Sequence, residues 1–137
     1  MDAQCNCEPK GRLFDEIRLD NGLTLYFYDL SRPIAGDRAQ VDLVLHVPVD
    51  LEERFFEGCE DPAGTFAAFT AEVGKTVCFR QEKVRNFISS KDVQDLLEKM
   101  KKDLLESNLA YLSKPHFAAR YARTVHSRWE KERPGGR

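Results

Sequence analysis

The sequence predicts an α+β domain: an antiparallel sheet of about four strands starting with a β-hairpin, one short helix, and two C-terminal helices packed on one face of the sheet. Three observations predict it. Asn21-Gly22 divides two β-rich runs, "RLFDEIRL" and "LTLYFYDL". Residues 41–49 alternate apolar and polar with a period of two. From residue 93 onward the apolar residues instead recur at three- and four-residue steps.

A chain of 137 residues can bury one core of ordinary size, expected over 12–133 between a flexible tail at 1–11 and a frayed end at 134–137. Charged residues make up 32% of it and the mean hydropathy is -0.52. No apolar run approaches the roughly 20 residues of a membrane-spanning helix. The stretch "MDAQCNCEPKGR" has an acid at position 2 and no apolar segment, unlike a secretory signal. These features point to a soluble cytoplasmic protein with no membrane contact.

In chain order, Asn-Gly tolerates the positive φ values of a type I′ turn, so the first two runs form a hairpin. Its first strand sets Leu13, Ile17 and Leu19 against Phe14, Glu16 and Arg18, with Asp15 breaking the apolar side. Its second sets Leu23, Leu25 and Phe27 against Thr24, Tyr26 and Tyr28. A third strand buries Val41, Leu43, Leu45, Val47 and Val49 and turns Asp42, Val44, His46 and Pro48 the other way. Pro48 lacks an amide donor, so pairing should stop there or the strand should lie at an edge. "EERFFEGCED" reads as a loop or short turn. In "DPAGTFAAFTAEVG", Asp61 caps, Pro62 starts and Gly74 ends a short helix lined by Phe66, Phe69 and Val73. A strand over 65–72 is the competing reading. The fourth strand follows, with Val77 and Phe79 on one face; Val84 and Phe87 fall on opposite faces, which points to a bulge or late twist.

Ser89 or Ser90 should cap the long helix, with Asp92 in its first turn. Its stripe is Val93, Leu96, Leu97, Met100, Leu104, Leu105, Leu109 and Leu112, and the pairs Asp95–Lys99, Glu98–Lys102 and Lys102–Glu106 should solvate the far side. Ser113 and Pro115 open the last helix, where Phe117, Tyr121, Val125 and Trp129 recur every four residues.

Chemistry is harder to place. Cys5 and Cys7 form a C-x-C pair and Cys59 and Cys78 stand alone, which lacks the paired spacing of a structural zinc site, so free thiols and no metal are expected. No glycine-rich phosphate loop or nucleophile elbow is present. His46 lies beside Asp42 on one strand face, a geometry that can orient a base. Without a nucleophile assigned to it, the pair gives no catalytic residue, and an enzyme is disfavoured. His46, His116 and His126 share no ligand spacing and read as surface residues. No cofactor is expected.

The segment "YDLSRPIAGDR" at 28–38 supplies the main binding candidates. Arg32 and Arg38 can fork onto a phosphate or carboxylate, assisted by Ser31. Its plainer reading is a well-made turn, with Asp29 and Ser31 as turn formers, Pro33 and Gly36 setting the backbone, and Asp37 pairing with an arginine. Tyr26 and Tyr28 would anchor a protein partner if their strand face is uncovered. The alternative is nucleic acid, or a nucleotide at the loop. Residues 114–137 hold 7 Lys+Arg against 2 Asp+Glu, whereas residues 1–113 hold 14 against 21. Arg120, Arg123 and Arg128 could meet a phosphate backbone, although a pI near 5.9 weighs against it. The oligomeric state is open.

Asp29 and Ser31 partly resemble the Asp/Asn-x-Ser-x-x-Gly signature of the PilZ cyclic di-GMP receptors. The glycine falls two places late, at Gly36, and no Arg-x-x-x-Arg precedes it. Over about 12–133, "NGLTLYFYDLSRPIAGDR", "RNFI" and "LAYLSKPHFAARY" resemble a family of small bacterial proteins of unassigned function. That resemblance implies one compact unit and supplies no activity. The first expectation is therefore a binding module for a protein partner.

Overall fold

The computed structural model describes residues 10–132. Residues 1–9 of the tail expected at 1–11, with Cys5 and Cys7, and residues 133–137, which include the end expected at 134–137, lie outside the described residues. Five antiparallel strands and three helices make up an α+β fold. Strands β1 (Arg12–Arg18) and β2 (Thr24–Asp29) form the first hairpin. β3 (Arg32–Ala35) and the long β4 (Arg38–Asp50) form a second. A 3-10 turn at Glu53–Phe56 leads to α1 (Pro62–Val73), then to β5 (Thr76–Ser89), α2 (Val93–Leu112) and α3 (Phe117–Glu132).

β4 is the spine. One edge pairs with β2 and β3, the other with β5 along nearly its whole length, and β1 lies beyond β2. The fifth strand is the segment expected to be a loop. Asp29 faces Leu43 and Arg32 faces Gln40, so β3 continues β2 in the same register after an interruption at 30–31. The interruption is sealed locally: the Leu30 amide donates to the Asp42 carbonyl, and the Asp42 amide donates to Ser31 Oγ. Gly36, at φ 57, then turns the chain directly into β4.

The alternation in β4 holds. Val41, Leu43, Leu45, Val47 and Val49 are fully buried and join Leu25 and Phe27 in one hydrophobic cluster with Phe69 of α1, Leu97, Met100, Leu104 and Leu112 of α2, and Phe117 and Ala122 of α3. The loop expected at 52–61 contributes too, because Phe55 and Phe56 are buried in the same cluster. Pro48 stays in register with Cys78 of β5, but pairing with β2 ends at His46. The ring therefore sits where one neighbour has already stopped.

Several local expectations change. The first hairpin is not type I′, since Gly22 alone in its turn has positive φ, and the Gly22 amide closes onto the Leu19 carbonyl. Asn21 is there for another reason: its amide nitrogen donates to the carbonyls of Leu112 and Lys114 at 2.8 Å each, bolting the turn to the end of α2. In β1 a register shift between Leu13 and Asp15 reverses the expected faces of Leu13 and Phe14, while Ile17 and Leu19 keep theirs. Leu13 is exposed, whereas Phe14 packs on the core.

On α2, neither Ser89 nor Asp92 makes a side-chain cap, and Ser90–Asp92 form a 3-10 turn held by the Ser90 amide on the Asp37 carbonyl. Leu109 is exposed, and Asn108 takes the inward position, donating to Leu104 O and Gln81 Oε1. The three expected ion pairs give way to Lys99–Asp103 and to Lys101, which reaches Asp15 at 2.9 Å and Glu98 at 3.4 Å. α3 starts at Phe117 rather than Pro115. The bulge expected late in β5 is present: between the pairs Val41–Arg85 and Ala39–Ile88, Asn86 and Phe87 oppose the single Gln40, with Phe87 at φ 60.

Candidate functional site: the helix-free face of the sheet

Strand periodicity that buries odd-numbered residues of β4 under the helices sends the even-numbered ones to the opposite face. Register aligns them with their neighbours in cross-strand rows. Glu16, Tyr26, His46 and Arg80 form one row, and Leu13, Tyr28, Val44 and Glu82 the next. Asp42 follows, opposite Val84. Val44 is fully buried, yet it stands apart from the cluster beneath the helices. The long side chains around it, rather than a helix, close over this face.

Tyr26, Tyr28 and His46 form a ring triangle, with centroids 6.2 Å apart between the tyrosines and 6.3 and 5.9 Å from His46 to Tyr26 and Tyr28. The tyrosines are half-buried and His46 is 4% exposed. The expectation that His46 is a surface residue is therefore wrong: its neighbours on β2 carry rings large enough to cover it. His126 also departs from it, lying 5.4 Å from the Phe56 ring and 5.0 Å from the Phe69 ring on the helix side. His116 is exposed.

Asp42 is 9% exposed, and its Oδ1 has no hydrogen-bond partner among the described residues. Burial, followed by the neighbouring Glu82 carboxyl, pushes Asp42 up from 3.8 to about 6, because a second carboxylate beside it opposes its ionisation. Arg80 pulls the other way and bridges Glu82 at 3.4 Å. Strand parity alone would set Arg80 and Glu82 on one face, but which β4 residues they meet depends on the register in which β5 returns along β4 after α1. That is why the sequence did not single them out.

The segment 28–38 is mostly architecture. Asp29 bonds the Ser31 amide and pairs with Arg12, and Ser31 takes the Asp42 amide. Burial pushes Asp29 up, but the Ser31 hydroxyl and amide and the Arg12 guanidinium hold it below its ordinary value. Arg32 and Arg38 are exposed on the β3–β4 arm, and Asp37 meets Arg38 at 3.7 Å. The arginines are not gathered around a pocket with Tyr26 and Tyr28.

A cleft of about 400 Å³ does open beside Tyr26, between the first hairpin turn, the end of β4 and the start of α3; Pro48, Asp50, Glu52, Arg54 and His116 line it. On α3, Arg120, Arg123, Arg128 and Lys131 share a shallow depression with Thr124 and Ser127. Arg123 is anchored on the Phe55 carbonyl at 3.0 Å, while the rings of Phe117, Tyr121 and Trp129 pack on the core instead of joining the basic stripe. Among the described residues, no group of three or more His, Cys, Asp or Glu is placed to hold a metal ion, and no helix is long and apolar enough to cross a membrane.

No protein-family model matches the chain, and comparison with curated proteins and with solved structures finds no match. The geometry of the face is the available guide to function.

Proposed function

We propose that the protein is a binding module that receives a basic side chain of a protein partner on the helix-free face of its sheet. The observation that carries this reading is the buried Asp42 carboxyl, with Glu82 and the half-buried Tyr28 in the neighbouring cross-strand row and Tyr26 in the row beyond. A guanidinium or ammonium group is attracted both to carboxylates and to the faces of aromatic rings. It would also relieve the burial and repulsion that raise Asp42, so binding near pH 6 should release a proton from Asp42. The acids Asp50 and Glu52 in the cleft beside Tyr26 extend the same chemistry. Cys59 is a free thiol, which suits a reducing cytoplasm.

A second reading has the basic depression on α3 in its favour, with nucleic-acid phosphates as the ligand. It lacks stacking rings on the same surface, so the sheet face is preferred.

The test is an NMR titration with a short arginine-containing peptide at pH 5 and pH 7.5. Saturable shifts at Tyr26, Tyr28 and His46, tighter at the higher pH and weakened by Asp42→Asn, are expected. Shifts confined to the helix side, or unchanged by Asp42→Asn, would overturn the reading.

A further inference from the structure

β5 is paired on one edge alone among the described residues. Pro48, opposite Cys78, has no N–H to give, and the Cys78 carbonyl instead accepts from the Tyr121 hydroxyl at 2.8 Å. By the alternation of an antiparallel ladder, even-numbered β5 residues near this point turn their N–H and C=O groups outward. The outward groups run through Arg80, Glu82 and Val84. Tyr121 bounds this run at one end, and the bulge with Phe87 at φ 60 bounds it at the other. Phe87 is 67% exposed, and its left-handed backbone kinks the strand where the run stops.

An open strand edge pairs with whatever strand fits it, and charges along it normally deter that. Here the charges select a single register. The strand reads Phe79-Arg80-Gln81-Glu82-Lys83. We propose that two copies of this chain pair β5 with β5, antiparallel, about a two-fold axis at Gln81. Arg80 then lies opposite the partner's Glu82, and Glu82 opposite the partner's Arg80, on the helix-free face. Phe79 lies opposite the partner's Lys83 on the helix side. Moving the axis to Arg80, Glu82 or Lys83 sets a like charge against itself, which opposes pairing. The contact is isologous and closes at two copies. It joins two five-stranded sheets without covering Tyr26 or Tyr28, which lie across β4 from it.

Sedimentation equilibrium over a wide concentration range tests this, together with cross-linking. Because Gln81 turns its backbone inward, the two Gln81 residues meet as a non-hydrogen-bonded pair with Cα atoms about 4.5 Å apart. That spacing lets Gln81→Cys form a disulfide across the axis. In a background with all four native cysteines changed to serine, Gln81→Cys should oxidise to a covalent dimer, while Glu106→Cys on α2 should not. Glu82→Arg should weaken dimerisation at least about tenfold, and the swap Arg80→Glu with Glu82→Arg should restore it. A monomer at every concentration, a dimer indifferent to Glu82→Arg, or cross-linking at Glu106→Cys in preference to Gln81→Cys would overturn the proposal.

Discussion

The two faces of the sheet are built from the same strands and differ by one residue in phase. On one face Leu25, Phe27 and the odd-numbered residues of β4 are sealed under three helices. On the other Tyr26, Tyr28, Asp42, Val44 and His46 cover one another. The first face excludes water with hydrocarbon, and its stability is the ordinary transfer of apolar surface. The second buries a carboxyl and an imidazole beneath tyrosines and charged side chains. Burial of that kind costs stability unless every polar group is satisfied. Asp42, displaced to about 6, records the cost. A face arranged so is a natural place for a ligand that completes the missing interactions.

The largest effect should come from adjacent residues on opposite faces. Phe27→Ala, in the fully buried cluster, should lose about 3–5 kcal/mol in urea denaturation. Tyr28→Ser, which uncovers a half-buried ring, should lose only about 1–2 kcal/mol. Equal losses would mean that the second face is a core in its own right and would break the comparison.

A pH series sharpens it. Asp42 titrates at about 6 when folded against 3.8 for the ordinary group. Between those values the native state holds a proton that the unfolded chain has lost, so stability falls as pH rises from about 4 to about 6. Two units at about 1.4 kcal/mol each set the fall at no more than about 3 kcal/mol. Asp15 and Asp29 are shifted the other way and act in more acid solution: Lys101 holds Asp15 down against burial, and Ser31 and Arg12 hold Asp29 down. Asp42→Asn should therefore match the parent near pH 4, exceed it in stability at pH 7.5, and flatten the curve between. A variant less stable at pH 7.5 would show that the ionised carboxylate is satisfied after all.

The helix-covered face was the more legible of the two in the sequence. A period of two in β4 and steps of three and four in α2 and α3 are direct consequences of burial on one side, and they located the strands, helices and most of the core. What escaped was set by pairing between distant segments. The face reversal of Leu13 and Phe14 comes from a bulge against β2. Asn108 is buried because Gln81 of β5 and the Leu104 carbonyl accept from it. The segment at 28–38 looked like a turn because its residues do make one, but the turn is two residues long, at 36–37, and apart from the break at 30–31 the rest is strand. Tyr26 with Tyr28, and His46 with Asp42, were each visible as one face of a strand, whereas their meeting needed the β2–β4 register and Arg80 and Glu82 needed the β4–β5 register.

The smallest effect separates a residue's local role from its tertiary one. Asn21 looked like a turn former, yet its Oδ1 accepts from the Leu23 amide while its nitrogen holds two carbonyls at the end of α2. Asn21→Asp keeps the acceptor for Leu23 and removes both donors; Asn21→Ala removes all three bonds. If the anchor to α2 carries the effect, both variants lose stability, by about 1–2 kcal/mol for Asn21→Ala. The aspartate should fare worse, because it sets a carboxylate against two carbonyl oxygens. If the local turn carries it, Asn21→Asp stays near the parent in urea denaturation. In the first case the hairpin tip serves the helix-covered face, and the Tyr26, Tyr28 and His46 ring signals should keep their positions in both variants. Movement of those signals would show that the two faces are coupled through the first hairpin.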